Sequence, residues 1–475
     1  MLCGCKPLSA GEDADTSDFR HMQFCPTAAN AAGYFSLPCV KEGGTAYAVT
    51  EGLSHYCLQN DPGSPCYGSL RCGGIAKQQK PLLNHLVSRR FSKDHNKKGA
   101  GKMKKMKNTK KSKADTKIRP VPMFSIIIFA ITAVCGACHI MFYKSAAFAD
   151  AFNQSIGRAV RLTLSKISGI FPFSVMEYLL FASPVLIVCL CVIVARTSRR
   201  GGICAVRCVT GVLSLAALVY CLFAADFAPG YRGTSLADKL SLTDRQVSAE
   251  ELHQTTLLVI DEVNSAAQDV DFPVKGSSTM PYDNYGELSR KLCDAYGTVC
   301  DEYSFIDRYS SGVKPLVISK YMTYTHISGI YGFFTGDANI NTNFPDYICV
   351  YTAAHEMAHQ RGISREDEAN FTAFLVCRAS SDPYIRYSGL LNMYEYLSDA
   401  LYKASPELYT DAASRLCIQA KAELRAYSLF FDKYRDNKAA DVSDSLNNSY
   451  LESQGTAGTA SYGMVVDLAV AYYLD

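Results

Sequence analysis

The chain has 475 residues, 48% hydrophobic and only 20% charged, which excludes a disordered or collagen-like polymer and leaves enough length for two or three domains. The formal net charge is +3, from 48 Lys and Arg against 45 Asp and Glu, so no global excess of positive charge argues for a nucleic-acid partner. The charges are nevertheless strongly segregated along the chain.

Residues 1–96 hold seven cysteines (Cys3, Cys5, Cys25, Cys39, Cys57, Cys66 and Cys72) but no periodic element and no zinc-finger spacing, and are expected to form a disordered N-terminal extension. The opening MLCGCKPLSAGED has no apolar core of a signal peptide, and Met103 or Met106 is an alternative start. Residues 97–119 carry eleven Lys or Arg against the single acid Asp115, and the sequence then turns apolar. Residues 120–143 carry no formal charge, 172–195 only Glu177, and 203–225 only Arg207. A helix of such length spans roughly 30 Å of hydrocarbon, so three transmembrane helices in a lipid bilayer are predicted, the first acting as an uncleaved targeting signal.

Lys and Arg in short flanking segments are retained on the cytoplasmic side. The basic run, the link after the second span (Arg196, Arg199, Arg200) and Arg207 contribute 15 positive charges, against four (Lys144, Arg158, Arg161, Lys166) between the first two spans. The expected protein is therefore a multi-pass cell-membrane protein whose residues 226–475 form an extracytoplasmic domain. Cys135 and Cys138 lie within the first span and read as small apolar fillers rather than a redox pair. Cys293, Cys300, Cys349, Cys377 and Cys417 are too scattered for a disulfide scaffold.

In the outer domain, Ser248 and Glu251 form an S-x-x-E capping box ahead of a helical apolar stripe (Leu252, Leu257, Leu258, Ile260, Val263), and a second helix is predicted over Tyr285–Tyr296. Val313–Tyr324 and Ala338–Phe344 read as strands separated by a turn-rich stretch, Ser328–Asp337. The remainder is helical, giving an α+β domain dominated by helices.

The informative segment is TAAHEMAHQRGISREDEANFTAFL, from Thr352 to Leu375. His355 and His359 are one helical turn apart on one face and can present two imidazole nitrogens to one Zn²⁺, while Glu356 can serve as general base. Gly362 can end this helix in a left-handed turn, with Ser364 capping the next and Asp367 completing a capping box. That return places Glu366 near the metal as third ligand, on one face with Ala369 and Asn370; Glu368 is the alternative, better suited to a surface pair or cap.

These residues resemble a family of bacterial membrane proteins of unknown function with three amino-terminal helices and a zincin-like HExxHQ core. The resemblance covers residues 120–475 and includes FPFSVMEYLL (Phe171–Leu180), SGIYGFFTGDANIN (Ser328–Asn341), HEMAHQRGISREDEANF (His355–Phe371), RYSG (Arg386–Gly389) and SYGMVVDL (Ser461–Leu468). The ExxAN arrangement is also similar to the glutamate-bearing helix of glutamate-ligated zinc peptidases, which implies Glu366 as ligand and Asn370 as its neighbour orienting a histidine. The expected fold is three transmembrane helices followed by a mainly α (α+β) zincin-like domain. The expected function is a membrane-anchored zinc metallopeptidase acting on a peptide or protein substrate; a non-catalytic metal-binding sensory protein is the alternative. The sequence leaves the oligomeric state open. A zincin holds substrate against an edge strand, for which Ala338–Phe344 is the candidate. His326, Tyr387 and Arg386 are candidate oxyanion donors, and Glu177 either snorkels at the interface or joins the site.

Overall fold

The computed structural model describes residues 120–243, 246–273 and 276–475, with three short strands nearer the N-terminus. Those strands apart, the extension 1–96 and the basic segment 97–119 lie outside the described residues.

Three helices are long and apolar enough to cross a membrane: α1 (Met123–Phe142), α4 (Val175–Ser198) and α5 (Gly202–Asp226). Their flanks expose Ile127, Val134, Val185 and Leu215, a surface suited to lipid. The link between the first two spans is itself structured, as α2 (Ala146–Phe152), a π-turn (Asn153–Gly157) and α3 (Arg158–Ser168). Arg161, one of the four positive charges counted there, is buried against Asp307 at 3.3 Å and donates to Asn153 Oδ1 at 2.7 Å and to the Asp226 carbonyl at 3.0 Å. Its charge is thus part of an internal network. Glu177 is also buried, and neither snorkels nor reaches the histidine motif: its carboxylate accepts from the backbone N–H groups of Val317 and Ile318, at 3.0 and 2.9 Å.

The rest of the chain forms α6 (Leu236–Leu240), α7 (Ala249–Ala266), α8 (Tyr285–Glu302), α9 (Ser319–Met322), α10 (Asp346–Gln360), α11 (Glu366–Ala379), α12 (Pro383–Ala404), α13 (Pro406–Arg415), α14 (Ile418–Phe431), α15 (Lys438–Ser453) and α16 (Val465–Leu474). The expected capping box starts α7: Ser248 Oγ accepts from Glu251 N–H at 3.2 Å, and Glu251 Oε2 accepts from Ser248 N–H at 2.9 Å. Of its predicted stripe Leu252, Ile260 and Val263 are buried, each contributing about 1.5–3 kcal/mol to the core, whereas Leu257 is half-buried, Leu258 is exposed and Val259 takes the inward place. Helix α10 is central, with every residue from Tyr347 to Gln360 buried. Close packing of α11 on α12 depends on Gly389, where an added Cβ would overlap Cys377 Cβ. Cys293 and Cys300 are both free thiols.

A small sheet lies beside α10. Its order is β1 (Leu2–Gly4), β5 (Ile327–Gly332), β6 (Asp337–Ile340), β4 (Val313–Pro315), while β2 (Ser9–Ala10) and β3 (Met22–Gln23) pair only with each other. Strand β4 is parallel to β6, and β5 is antiparallel to it. Three expectations change here. The strand predicted over Val313–Tyr324 stops at Pro315, because Glu177 takes up the next backbone donors and the chain turns into α9. Part of the stretch read as turns is β5, whose Gly329 and Gly332 imitate turn composition. The candidate edge strand within Ala338–Phe344 is β6, which is interior to the sheet, as is β5; the edges are β1 and β4.

Candidate metal centre

Helix α10 ends as the glycine predicts. Gly362 has φ 89°, its N–H donates to the His359 carbonyl at 2.9 Å, and the N–H of Ile363 donates to the Ala358 carbonyl at 3.2 Å. This Schellman pair reverses the chain within three residues. The turn is fastened from the membrane side, because Asn153 Nδ2 donates to the Gly362 carbonyl at 2.9 Å and the Arg161 guanidinium fills the space a Cβ on residue 362 would need. Ser364 does not cap the following helix: its hydroxyl donates to the Phe227 carbonyl at 2.8 Å, and Arg365 occupies the N-cap without a side-chain cap bond.

The reversal sets Glu366, the first residue of α11, against both histidines. Glu366 Oε2 lies 3.2 Å from His355 Nε2 and 3.5 Å from His359 Nε2, and one ligand atom from each residue falls within 4.8 Å of the others. All three side chains are fully buried. The Ile363 carbonyl, delivered by the same turn, lies 2.7 Å from His359 Nδ1. A proton on Nδ1 satisfies that carbonyl and turns the Nε2 lone pair toward Glu366, the tautomer a metal requires. Two imidazole nitrogens and a carboxylate oxygen converging in this buried position are a donor set that could hold a divalent metal ion such as Zn²⁺.

The electrostatics agree with this geometry. Burial lowers the affinity of His359 for a second proton, partly opposed by the neighbouring Glu366. Glu366 is held below the usual carboxylate range by the His359 and His355 imidazoles although burial opposes its ionisation. Glu356 differs: burial, reinforced by the Glu366 charge, holds its carboxyl well above the ordinary value, and neither oxygen has a hydrogen-bond partner among the described residues.

Strand β5 passes directly over Glu356. A Cβ on Gly329 would lie 2.5 Å from Thr352 Cγ2 and 2.8 Å from Glu356 Cγ, so only glycine permits this approach. Glu368 is buried, and accepts from the Leu236 N–H at 2.8 Å while pairing with Arg365 at 3.3 Å. Asn370 is buried on α11, with both amide atoms lacking a partner among the described residues, and makes no hydrogen bond to either histidine.

The candidate oxyanion donors are engaged elsewhere: His326 Nε2 is 2.6 Å from the Tyr434 carbonyl, Tyr387 donates to Glu423 at 2.8 Å, and Arg386 Nη1 bonds the Ser380 carbonyl at 3.4 Å. Other phenols stand near the cluster. The Tyr331 ring is 6.4 Å from that of His359, and its hydroxyl donates to Asp226 at 2.9 Å. Tyr231 and Tyr450, with ring centroids 6.4 Å apart, are held above the usual phenol range by burial and also by the charge of Glu366. Nothing in their sequence spacing marks these tyrosines, which follow one another at 100 and 119 positions in no recurring pattern; only the fold gathers Tyr231, Tyr331 and Tyr450.

Comparison with curated proteins finds no match. Comparison with solved structures finds none either. Residues 152–470, which include the α10–α11 cluster, the π-turn that fastens it and strands β4, β5 and β6, match the family described as a protein of unknown function (DUF3810), and the chain belongs to that family.

Proposed function

We propose that the chain is a membrane-anchored zinc metallopeptidase whose residues 226–475 act outside the cytoplasmic membrane. The observation that carries this reading is the convergence of His355, His359 and Glu366 beside a buried, unpartnered Glu356. A closed structural centre has no use for that carboxylate, whereas hydrolysis requires a base at that place. When bound, Zn²⁺ supplies Lewis acidity to water and to the scissile carbonyl.

His355, His359 and Glu366 hold the ion, with the Ile363 carbonyl fixing the His359 ring. Glu356 accepts a proton from the attacking water and delivers it to the leaving amine, a role suited to a carboxyl whose proton affinity is raised by burial. The outer edge of β5 is taken by Leu2–Gly4, paired antiparallel opposite Gly329 and Ile330, so in this reading an extended substrate aligns on β5 by taking the place of that segment. Tyr231 or Tyr450 takes the part of oxyanion donor in this reading. The outward placement rests on the 15 positive charges on one side of the spans against four on the other.

The test is Glu356→Gln, which nearly preserves size and leaves the three metal-holding side chains intact. The variant is expected to fold, insert and retain zinc while failing to release the peptide amino termini that the wild type releases at the cell surface. Identical released termini at equal zinc content overturn the peptidase reading and leave a metal-holding membrane protein.

A further inference from the structure

A cavity of about 690 Å³ lies where α3 passes into α4, and none of His355, Glu356, His359 or Glu366 lines it. Three cationic side chains line it: Lys166 from α3, Arg290 from α8 and Lys314 from β4. One carboxylate, Asp337, also lines it but is already engaged, by Lys314 Nζ at 2.6 Å and by the Met176 N–H at 3.1 Å. Lys166 and Arg290 are exposed and form no ion pair among the described residues. The first residues of the 18-residue helix α8, Tyr285 and Gly286, add the positive end of its dipole to the same wall.

A polar atom at the cavity wall is unsatisfied. Gln360 is 2% exposed and donates through Nε2 to the Gly336 carbonyl at 2.7 Å, but its Oε1 has no partner among the described residues. A buried amide oxygen without a donor is unfavourable, so the cavity presents a site for a hydrogen-bond donor as well as for an anion. The rim is apolar on its membrane side, where Ile170 and Phe171 are 76% and 42% exposed just before α4 enters the bilayer.

The geometry points to a binding site for a hydroxyl-bearing phosphate ester of the glycerophosphate type. Lys166, Arg290 and the start of α8 take the phosphate, Gln360 Oε1 takes a glycerol hydroxyl, and acyl chains, where present, lie along Ile170, Phe171 and α4. The ester comes from an anionic lipid headgroup or from a free glycerol phosphate; both satisfy the cationic wall and the Gln360 acceptor. This assignment is independent of the peptidase reading, since it uses none of His355, Glu356, His359 or Glu366.

The test uses the full chain in neutral detergent micelles, titrated calorimetrically with dioctanoyl phosphatidylglycerol, dioctanoyl phosphatidylcholine, sn-glycerol 1-phosphate and methyl phosphate. The phosphatidylglycerol is expected to bind in preference to the phosphatidylcholine, and the glycerol ester in preference to the methyl ester, which has no hydroxyl for Gln360. Lys166→Gln combined with Arg290→Gln, both at exposed positions, is expected to weaken binding by roughly tenfold or more with zinc content and melting temperature unchanged. Tighter binding of the lipid than of the free ester assigns the headgroup as source, and equal binding assigns the soluble ester; either supports the site. Equal binding of both lipids and no binding of the free ester, or affinities unchanged in the double variant, overturns it.

Discussion

Gly329→Ala is a direct probe of how the sheet meets the metal helix. The added methyl lies 2.5 Å from Thr352 Cγ2 and 2.8 Å from Glu356 Cγ, where carbon atoms ordinarily stay about 3.5–4.0 Å apart. Strand β5 or the Glu356 side chain must therefore move by about 1 Å. Overpacking of this kind in a close-packed interior costs about 1–3 kcal/mol, which for a domain of this size lowers the melting temperature by roughly 2–4 °C per kcal/mol. If Glu356 is the base of the proposed peptidase, the same displacement is expected to lower turnover by about a hundredfold. The atoms nearest the new methyl belong to Glu356 and Thr352 and not to His355, His359 or Glu366, so zinc content is expected to stay at the wild-type level. Thr352→Ser removes Cγ2 while keeping the hydroxyl that meets Ser328 Oγ at 3.2 Å, and in combination with Gly329→Ala it is expected to recover part of the lost stability. The measurements are thermal unfolding, zinc stoichiometry and release of peptide termini for the two single variants and the double variant. A Gly329→Ala protein with wild-type melting and activity refutes the close approach, and strictly additive effects of the two changes refute the contact with Thr352.

Alanine at His355, His359 or Glu366 is expected to deplete zinc from the purified protein, whereas Glu368→Ala keeps the metal and costs roughly 1–3 kcal/mol through the unpaired Leu236 N–H; zinc loss in Glu368→Ala alone refutes the assignment. Burial pushes the Asp399 carboxyl up to about 6, with Lys403 only partly opposing it, so the native state holds this proton more tightly than the unfolded chain does. The ionised form consequently disfavours folding increasingly as pH rises from about 4 to about 6, by on the order of 3 kcal/mol at the upper end. Asp399→Asn should raise the melting temperature above pH 6 and change little below pH 4, and destabilisation at pH 7 would show that the Lys403 pair prevails. For topology, an impermeant thiol reagent on intact spheroplasts is expected to label single-cysteine reporters placed after residue 240 and none within 97–119, with the opposite sidedness refuting the charge argument.

Some features follow from the sequence because their causes are local. A span such as 203–225 satisfies its own backbone as a helix and carries no charge but Arg207, so composition alone marks it. The Ser248 capping box, the left-handed Gly362 and the i, i+4 placement of His355 and His359 depend on residues within one or two turns, and the structure reproduces each. The third member of the cluster was also legible, because a helix that stops at Gly362 and restarts at once leaves Glu366 little room to go elsewhere. Other features depend on partners far along the chain. Strand β4 ends early because a carboxylate about 140 positions away captures its continuing backbone donors, and β5 is a strand rather than a turn because β6 pairs with it. Arg161 reads as a loop charge until Asp307, 146 positions on, encloses it, and His326, Tyr387 and Arg386 are plausible donors until the fold gives each another partner. Periodicity and capping are fixed over a few residues, whereas the burial of a charge, the edge of a sheet and the approach of Gly329 to Glu356 are decided by which distant segments pack together.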